Sequence, residues 1–327
     1  MNDLSTQGCY VVLHIGTGPS RTQEQAGPRL LVADTNKRFV LSDDMWIERL
    51  DEELARNIQK ACQPPNHKIQ DVAYDRHLYA FVRRVPADEK SQYKGMSELN
   101  GVIALSRLIN PTSTGDRYCA HVFRYEDKDS PIVAIRFRGT SPDVILAANS
   151  RDWLSVNEGA VLRKLMPWVS NNIPMHERVH RAYWNHENAM RSYYLDIRWT
   201  LIVSGFEALI NTREDEVSWQ FRDRVRQLAR EFNVALSDTD LRLAYKLRSK
   251  LVHGQSFLVG LEKLLPQSQH AVLYEKLESL LRETVKRCLL DEKFGNCFRD
   301  DAAVEARWPL NPNPSRKPKK RASGKKP

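Results

Sequence analysis

The chain has 327 residues, 41% of them hydrophobic, enough for two domains with cores of their own. Its formal charge is +9, no apolar run approaches membrane-span length and no N-terminal signal is visible, so a soluble cytoplasmic protein with no membrane partner is expected. Cys9, Cys62, Cys119, Cys288 and Cys297 are scattered without a C-x-x-C pair, which excludes a disulfide framework and fits reduced thiols.

The first 150 residues read as a mixed α/β domain. Strands are predicted over 8–14, 29–33, 38–41, 78–85, 117–125 and 131–138, with a hairpin turn at Asp127 to Ser130. A helix is predicted over 43–62, stopped by Pro64 and Pro65, and a second over 96–109. GTGPS at Gly16 to Ser20 lacks the lysine of a phosphate-binding loop and reads as an ordinary turn. Nothing in its residues assigns this domain a role.

From Asp152 onward the pattern is helical, roughly 152–169, 175–191, 193–211, 217–232, 238–253 and 266–290. The expected fold class is therefore α+β, with domain 1–150 followed by an all-α bundle over 151–300. The second of these helices contains HERVHRAYWNH, residues 176 to 186, which satisfies H-E-x-x-H and suggests a zinc-dependent hydrolase through His176, His180 and His186. Against it stands Tyr183, where such proteases need glycine for a tight turn. If the helix continues, His186 lies about 240° around from His180, out of reach of one metal.

Two helices on, Arg222, Arg226 and Arg230 fall on one face at spacings of four. They form either an RNA-backbone track or a solvated face neutralised in part by Asp223 and Glu231. Trp199, Phe206, Trp219 and Phe221 are expected in the core or at a dimer interface rather than as base-stacking platforms.

The helix over 238–253 carries the most informative stretch, although H-E-x-x-H is the sharper pattern on sequence alone. Ser237 with Asp240 reads as a cap, Leu241, Ala244, Leu247 and Leu251 follow helical spacing, and Gly254 sits where a C-terminal glycine is expected. Near its end, YKLRSKLVHG puts Arg248 and His253 five positions apart, an always-charged guanidinium beside an imidazole that titrates near neutrality. A second Arg-x4-His pair, Arg181 with His186, lacks this context.

RSKLVHG, with the preceding WTLIVSGFEALINT and the intervening FRDRVRQLAREF, resembles the Apea-like branch of the HEPN superfamily, helical domains that commonly dimerise and are in many cases metal-independent endoribonucleases. The resemblance covers roughly residues 175–290 and extends weakly through LSRLINPTS and RDWL. It implies Arg248, Ser249 and His253 as catalytic residues, and Glu207 on the preceding helix as a partner of Arg248. It also suggests a toxin or phage-defence effector with a trigger or antitoxin protein.

The chemistry stands without the name. RNA transesterification needs a base at the 2′-OH, an acid at the leaving 5′-oxygen and positive charge at the phosphorane. One chain offers a single imidazole here, whereas a homodimer offers two, so no metal or other cofactor is required. A non-catalytic nucleic-acid or protein-binding module is the alternative.

The last predicted segment, 301–327, reads as a disordered tail. From Asn311 to Pro327 it carries seven cations (Arg316, Lys317, Lys319, Lys320, Arg321, Lys325 and Lys326) and no acid, leaving 9 − 7 = +2 for the rest. Such a tail contacts RNA or aids solubility.

Overall fold

A computed structural model describes residues 8–16, 38–49, 78–86, 88–111, 120–125, 134–137, 154–170, 175–192, 194–253, 261 and 267–313. The expected strand at 29–33 and the turn at 127–130 lie outside the described residues, as does Gly254.

Six strands form one antiparallel sheet: β1 (Gly8–Gly16), β2 (Arg38–Ser42), β3 (Met45–Arg49), β4 (Leu78–Pro86), β5 (Ala120–Tyr125) and β6 (Ala134–Phe137), in the order β2-β3-β4-β1-β5-β6. The helix expected over 43–62 is corrected here, because its first residues are strand. Asp43 and Asp44 make a two-residue turn, Ser42 Oγ donates to Asp44 at 2.9 Å, Met45 to Glu48 pair with β2, and Met45 to Arg49 pair with β4. Met45, Trp46 and Ile47 are all buried, Met45 and Ile47 in the main core cluster, and sheet pairing on both sides outweighs local helix preference. Residues 50–62 lie outside the described set.

The helix α1 (Glu89–Ile109) starts seven residues before the expected 96, capped by Asp88, whose carboxylate accepts from Ser91 N–H at 2.9 Å. Its early turns are mostly exposed, so they show no apolar stripe. Residues 102–110 are buried without interruption, the signature of a helix enclosed on all sides. One side of α1 meets the sheet and the other meets the helices that follow.

Those helices are α2 (Val156–Leu165), α3 (Pro167–Ser170), α4 (Glu177–Arg191), α5 (Leu195–Ile210), α6 (Val217–Glu231), α7 (Asp238–Val252), α8 (Gln267–Leu290), the short α9 (Glu292–Gly295), a 3₁₀ turn (Asn296–Phe298) and α10 (Asp301–Arg307). The α+β class with a helical bundle is thus what the chain adopts. One hydrophobic cluster runs from Leu41 and Phe81 of the sheet through α1 into the bundle as far as Trp308. Trp199, Phe206, Trp219 and Phe221 all lie in the interior. Gly205 lets α8 approach α5, since a Cβ there would meet Leu281 Cδ2 at 2.6 Å.

The disordered tail expected from 301 also needs correction, because residues 301–313 are ordered parts of the fold. Trp308 is buried among Phe294 and Phe298, with ring centroids 6.2 and 4.7 Å away. Beyond it the chain forms a strap over α6. Asn311 holds the Asp223 carboxylate by backbone and side chain at 2.9 to 3.1 Å, Trp219 Nε1 donates to Asn311 O at 3.1 Å, and Gln227 donates to Pro309 O at 2.9 Å. The fully buried Arg224 locks the corner, donating to Trp308 O at 2.9 Å and Ile210 O at 2.5 Å. Residues 314–327 lie outside the described set.

Candidate functional site

Two helices build the site. The first, α5, ends at Asn211, whose backbone N–H returns to Glu207 O at 3.1 Å, which fixes Glu207 in the last turn. The chain then enters α6, which ends in a Schellman arrangement with Asn233 at φ 55°. Val234 N–H bonds Ala229 O at 2.9 Å and Asn233 N–H bonds Arg230 O at 3.3 Å.

Next comes α7, opened by a full capping box. Ser237 Oγ accepts from Asp240 N–H at 3.1 Å and Asp240 Oδ2 accepts from Ser237 N–H at 2.9 Å. Ser237→Ala is expected to cost about 1 kcal/mol, read as a lower urea midpoint. Leu241, Leu243, Ala244 and Leu247 bury the inner face of α7, and Trp199 Nε1 donates to Ala244 O at 3.2 Å. That packing carries the outer flank of α7 across the end of α5.

There Arg248 Nη2 meets Glu207 Oε2 at 2.9 Å. Tyr245, one turn earlier, donates its hydroxyl to the same carboxylate and rests against Phe221, with ring centroids 5.5 Å apart. Burial pushes the Glu207 carboxyl above its ordinary range, opposed by the positive charge of Arg248 and by the Tyr245 hydrogen bond. Burial also raises the Tyr245 hydroxyl, helped by the neighbouring carboxylate. Ser249 is half-buried beside Arg248. His253 caps the helix, its backbone N–H bonded to Ser249 O at 3.1 Å, with its side chain exposed.

Tyr245 was not singled out by the sequence reading, although its i, i+3 relation to Arg248 put it on the same flank. Glu207 also borders a groove of about 650 Å³ between the start of α4, the end of α5 and the start of α10.

The arginine row has a structural occupation. Arg222 Nη1 lies 3.4 Å from Asp238, Arg226 pairs with the same carboxylate, and Arg242 reaches it at 3.0 Å. Arg222 also lies over the Trp219 ring at 5.3 Å. Asp238 in the first turn of α7 therefore gathers three cations and pins α6 to α7. Of the expected neutralisers, Asp223 goes to Asn311 instead, and Glu231 to Arg307 and Trp308 at 2.9 Å. Arg230 is exposed on the same helix.

The histidines of HERVHRAYWNH are not brought together. The α4 helix runs unbroken through Tyr183 to Arg191, so His186 turns into the core, fully buried with Nε2 at 2.9 Å from Glu278. His176 bonds Asn296 at 2.9 Å and His180 is exposed. Among the described residues no group of three or more His, Cys, Asp or Glu side chains is arranged to hold a metal. The Arg181–His186 pair is likewise split, because exposed Arg181 pairs with Glu177 at 2.5 Å. No described helix is long and apolar enough to cross a membrane. No family model, curated protein or solved structure matches the chain.

Proposed function

We propose that the chain is a metal-independent endoribonuclease of the HEPN type, acting as a homodimer in a toxin or phage-defence role. The observation that supports this reading most is the outer end of α7, where an anchored Arg248 and an exposed His253 lie within five residues of each other. Arg248 is held by an Nη2 contact to Glu207, and a planar guanidinium carries five N–H donors, more than one such contact uses, for phosphate oxygens.

In the proposed reaction the RNA 2′-oxygen attacks the adjacent phosphorus while one His253 takes its proton. The P–O5′ bond then breaks, and His253 of the partner subunit protonates the leaving oxygen. The products are a 2′,3′-cyclic phosphate and a 5′-hydroxyl. Arg248 from each subunit balances the negative charge that gathers on the phosphorane. Ser249 beside it adds a hydroxyl donor. Arg222 and Arg226 contact RNA in this scheme only by sharing their guanidinium donors with Asp238, which makes exposed Arg230 the strongest phosphate contact of the row.

The test is incubation of the purified protein with structured RNA in excess chelator. Cleavage that leaves cyclic phosphate ends is the expected result. Tight RNA or protein binding without cleavage would instead identify a non-catalytic module.

A further inference from the structure

We infer that Tyr245 is a positioning residue for the Arg248 guanidinium, acting through Glu207. The inference rests on the nuclease reading and deepens it, since Tyr245 would touch no substrate.

Three residues along a helix turn about 300° and rise about 4.5 Å, so Tyr245 and Arg248 reach the same neighbour from one flank of α7. That neighbour is a single carboxylate on α5. A glutamate with one partner can rotate about its side-chain torsions, whereas one with two fixed partners has its carboxylate plane set. Arg248 has particular need of this, because its Nε is buried without a hydrogen-bond partner among the described residues and Nη2 meets the Glu207 carboxylate at 2.9 Å. The Tyr245 ring is itself held by Phe221 of α6. The orientation of Arg248 is thus inherited from the α6 core through ring, hydroxyl and carboxylate.

The Tyr245 hydroxyl also holds charge on Glu207. Burial favours the neutral acid, while the Tyr245 bond and Arg248 favour the anion. Other charged groups face Glu207 across the groove: Glu177, Arg178 and Arg181 from α4, and Arg299, Asp300 and Asp301 at the start of α10. They comprise three cations and three carboxylates, and Arg178 is already paired with Asp301. Burial is the largest influence on Glu207, and the two side chains bonded to it are what favours its charged form against that burial. Without the hydroxyl, Glu207 takes up a proton at higher pH and releases Arg248.

Tyr245→Phe removes the hydroxyl and keeps the ring. Cleavage rates of wild type and variant are compared from about pH 5 to about pH 9, with the thermal midpoint as a check on folding. The expected deficit is about tenfold at the acid end, the effect of moving a titration by about one pH unit, and it is smaller at the alkaline end, where only the second fixed partner of the charged carboxylate is missing. In a Glu207→Gln background the same substitution should change nothing further. A loss equal at every pH would overturn the inference.

Side-chain carbon-13 NMR of Glu207 separates this result from failure of the nuclease reading. Absence of cleavage by the wild type sinks that reading alone. Titration of Glu207 at higher pH in Tyr245→Phe supports the positioning role, and an unmoved titration overturns it.

Discussion

His253→Ala is expected to slow RNA cleavage by a factor of about 10²–10⁴, the usual worth of a positioned acid or base, with little effect on stability. The two outcomes separate because the residue contributes to the fold through its backbone. Its N–H closes α7 on Ser249 O at 3.1 Å while the imidazole is exposed. Alanine keeps that backbone bond, so the unfolding midpoint should stay within about 0.5 kcal/mol of wild type. Arg248→Ala is a less informative variant, because it strips a half-buried carboxylate of its ion pair and confounds activity with folding.

The twofold arrangement adds a sharper requirement. If one imidazole is base and its mate is acid, a mixed dimer with one alanine lacks one of the two roles at the shared phosphate. Co-purified heterodimers should therefore be nearly as inactive as the double variant. Half the wild-type rate in the mixed dimer would mean that each subunit cleaves alone, and the composite site would be wrong.

What could be read from the residues was whatever short-range chemistry determines. Ser237 and Asp240 announce the start of α7 because both halves of the capping box lie three residues apart. The helices from α4 to α8 follow an apolar period set by burial of one face. Of the candidate site, the residue types and spacing of Arg248 and His253 were visible. Tyr245 escaped notice because its role depends on a carboxylate 38 residues upstream that only packing of α5 on α7 brings to it.

The misread segments share that cause. MWIER reads locally as part of a helix over 43–62, whereas strands pair with it on both sides. Residues 301–313 belong to the fold because Val304 and Trp308 are buried and Asn311, Arg307 and Trp308 find polar partners at Asp223 and Glu231, about 80 residues earlier. Polar composition signals disorder only where no distant partner exists. The early part of α1 went unrecognised for the complementary reason, since an exposed turn has no apolar stripe to detect.

Glu278→Ala is expected to be the most damaging single change to the fold, about 3–5 kcal/mol, the cost of removing one member of a buried ionic group. Glu278 on α8 accepts from Arg282 Nε at 3.0 Å and lies 2.9 Å from His186 Nε2 of α4. Arg282 also reaches Ile109 O of α1 at 3.5 Å, and next to His186 the buried Glu187 pairs with Arg107 of α1. One carboxylate thus steadies the seam where the sheet-bearing half meets the bundle, and its loss leaves the buried His186 Nε2 without its partner while Arg282 keeps Glu283 at 2.9 Å.

Acid should reproduce part of this effect. Burial opposes the Glu278 charge, but the His186 hydrogen bond and the Arg282 charge outweigh it and hold the carboxyl below its ordinary value of 4.5. A depressed carboxyl stabilises the fold above its unfolded value and loses that contribution as pH falls through the folded one. The gap in thermal midpoint between wild type and Glu278→Ala should accordingly be full near neutrality and narrow below pH 4.5. A gap that stays constant on acidification would show that the substitution acts through lost packing, with the ionic group contributing nothing.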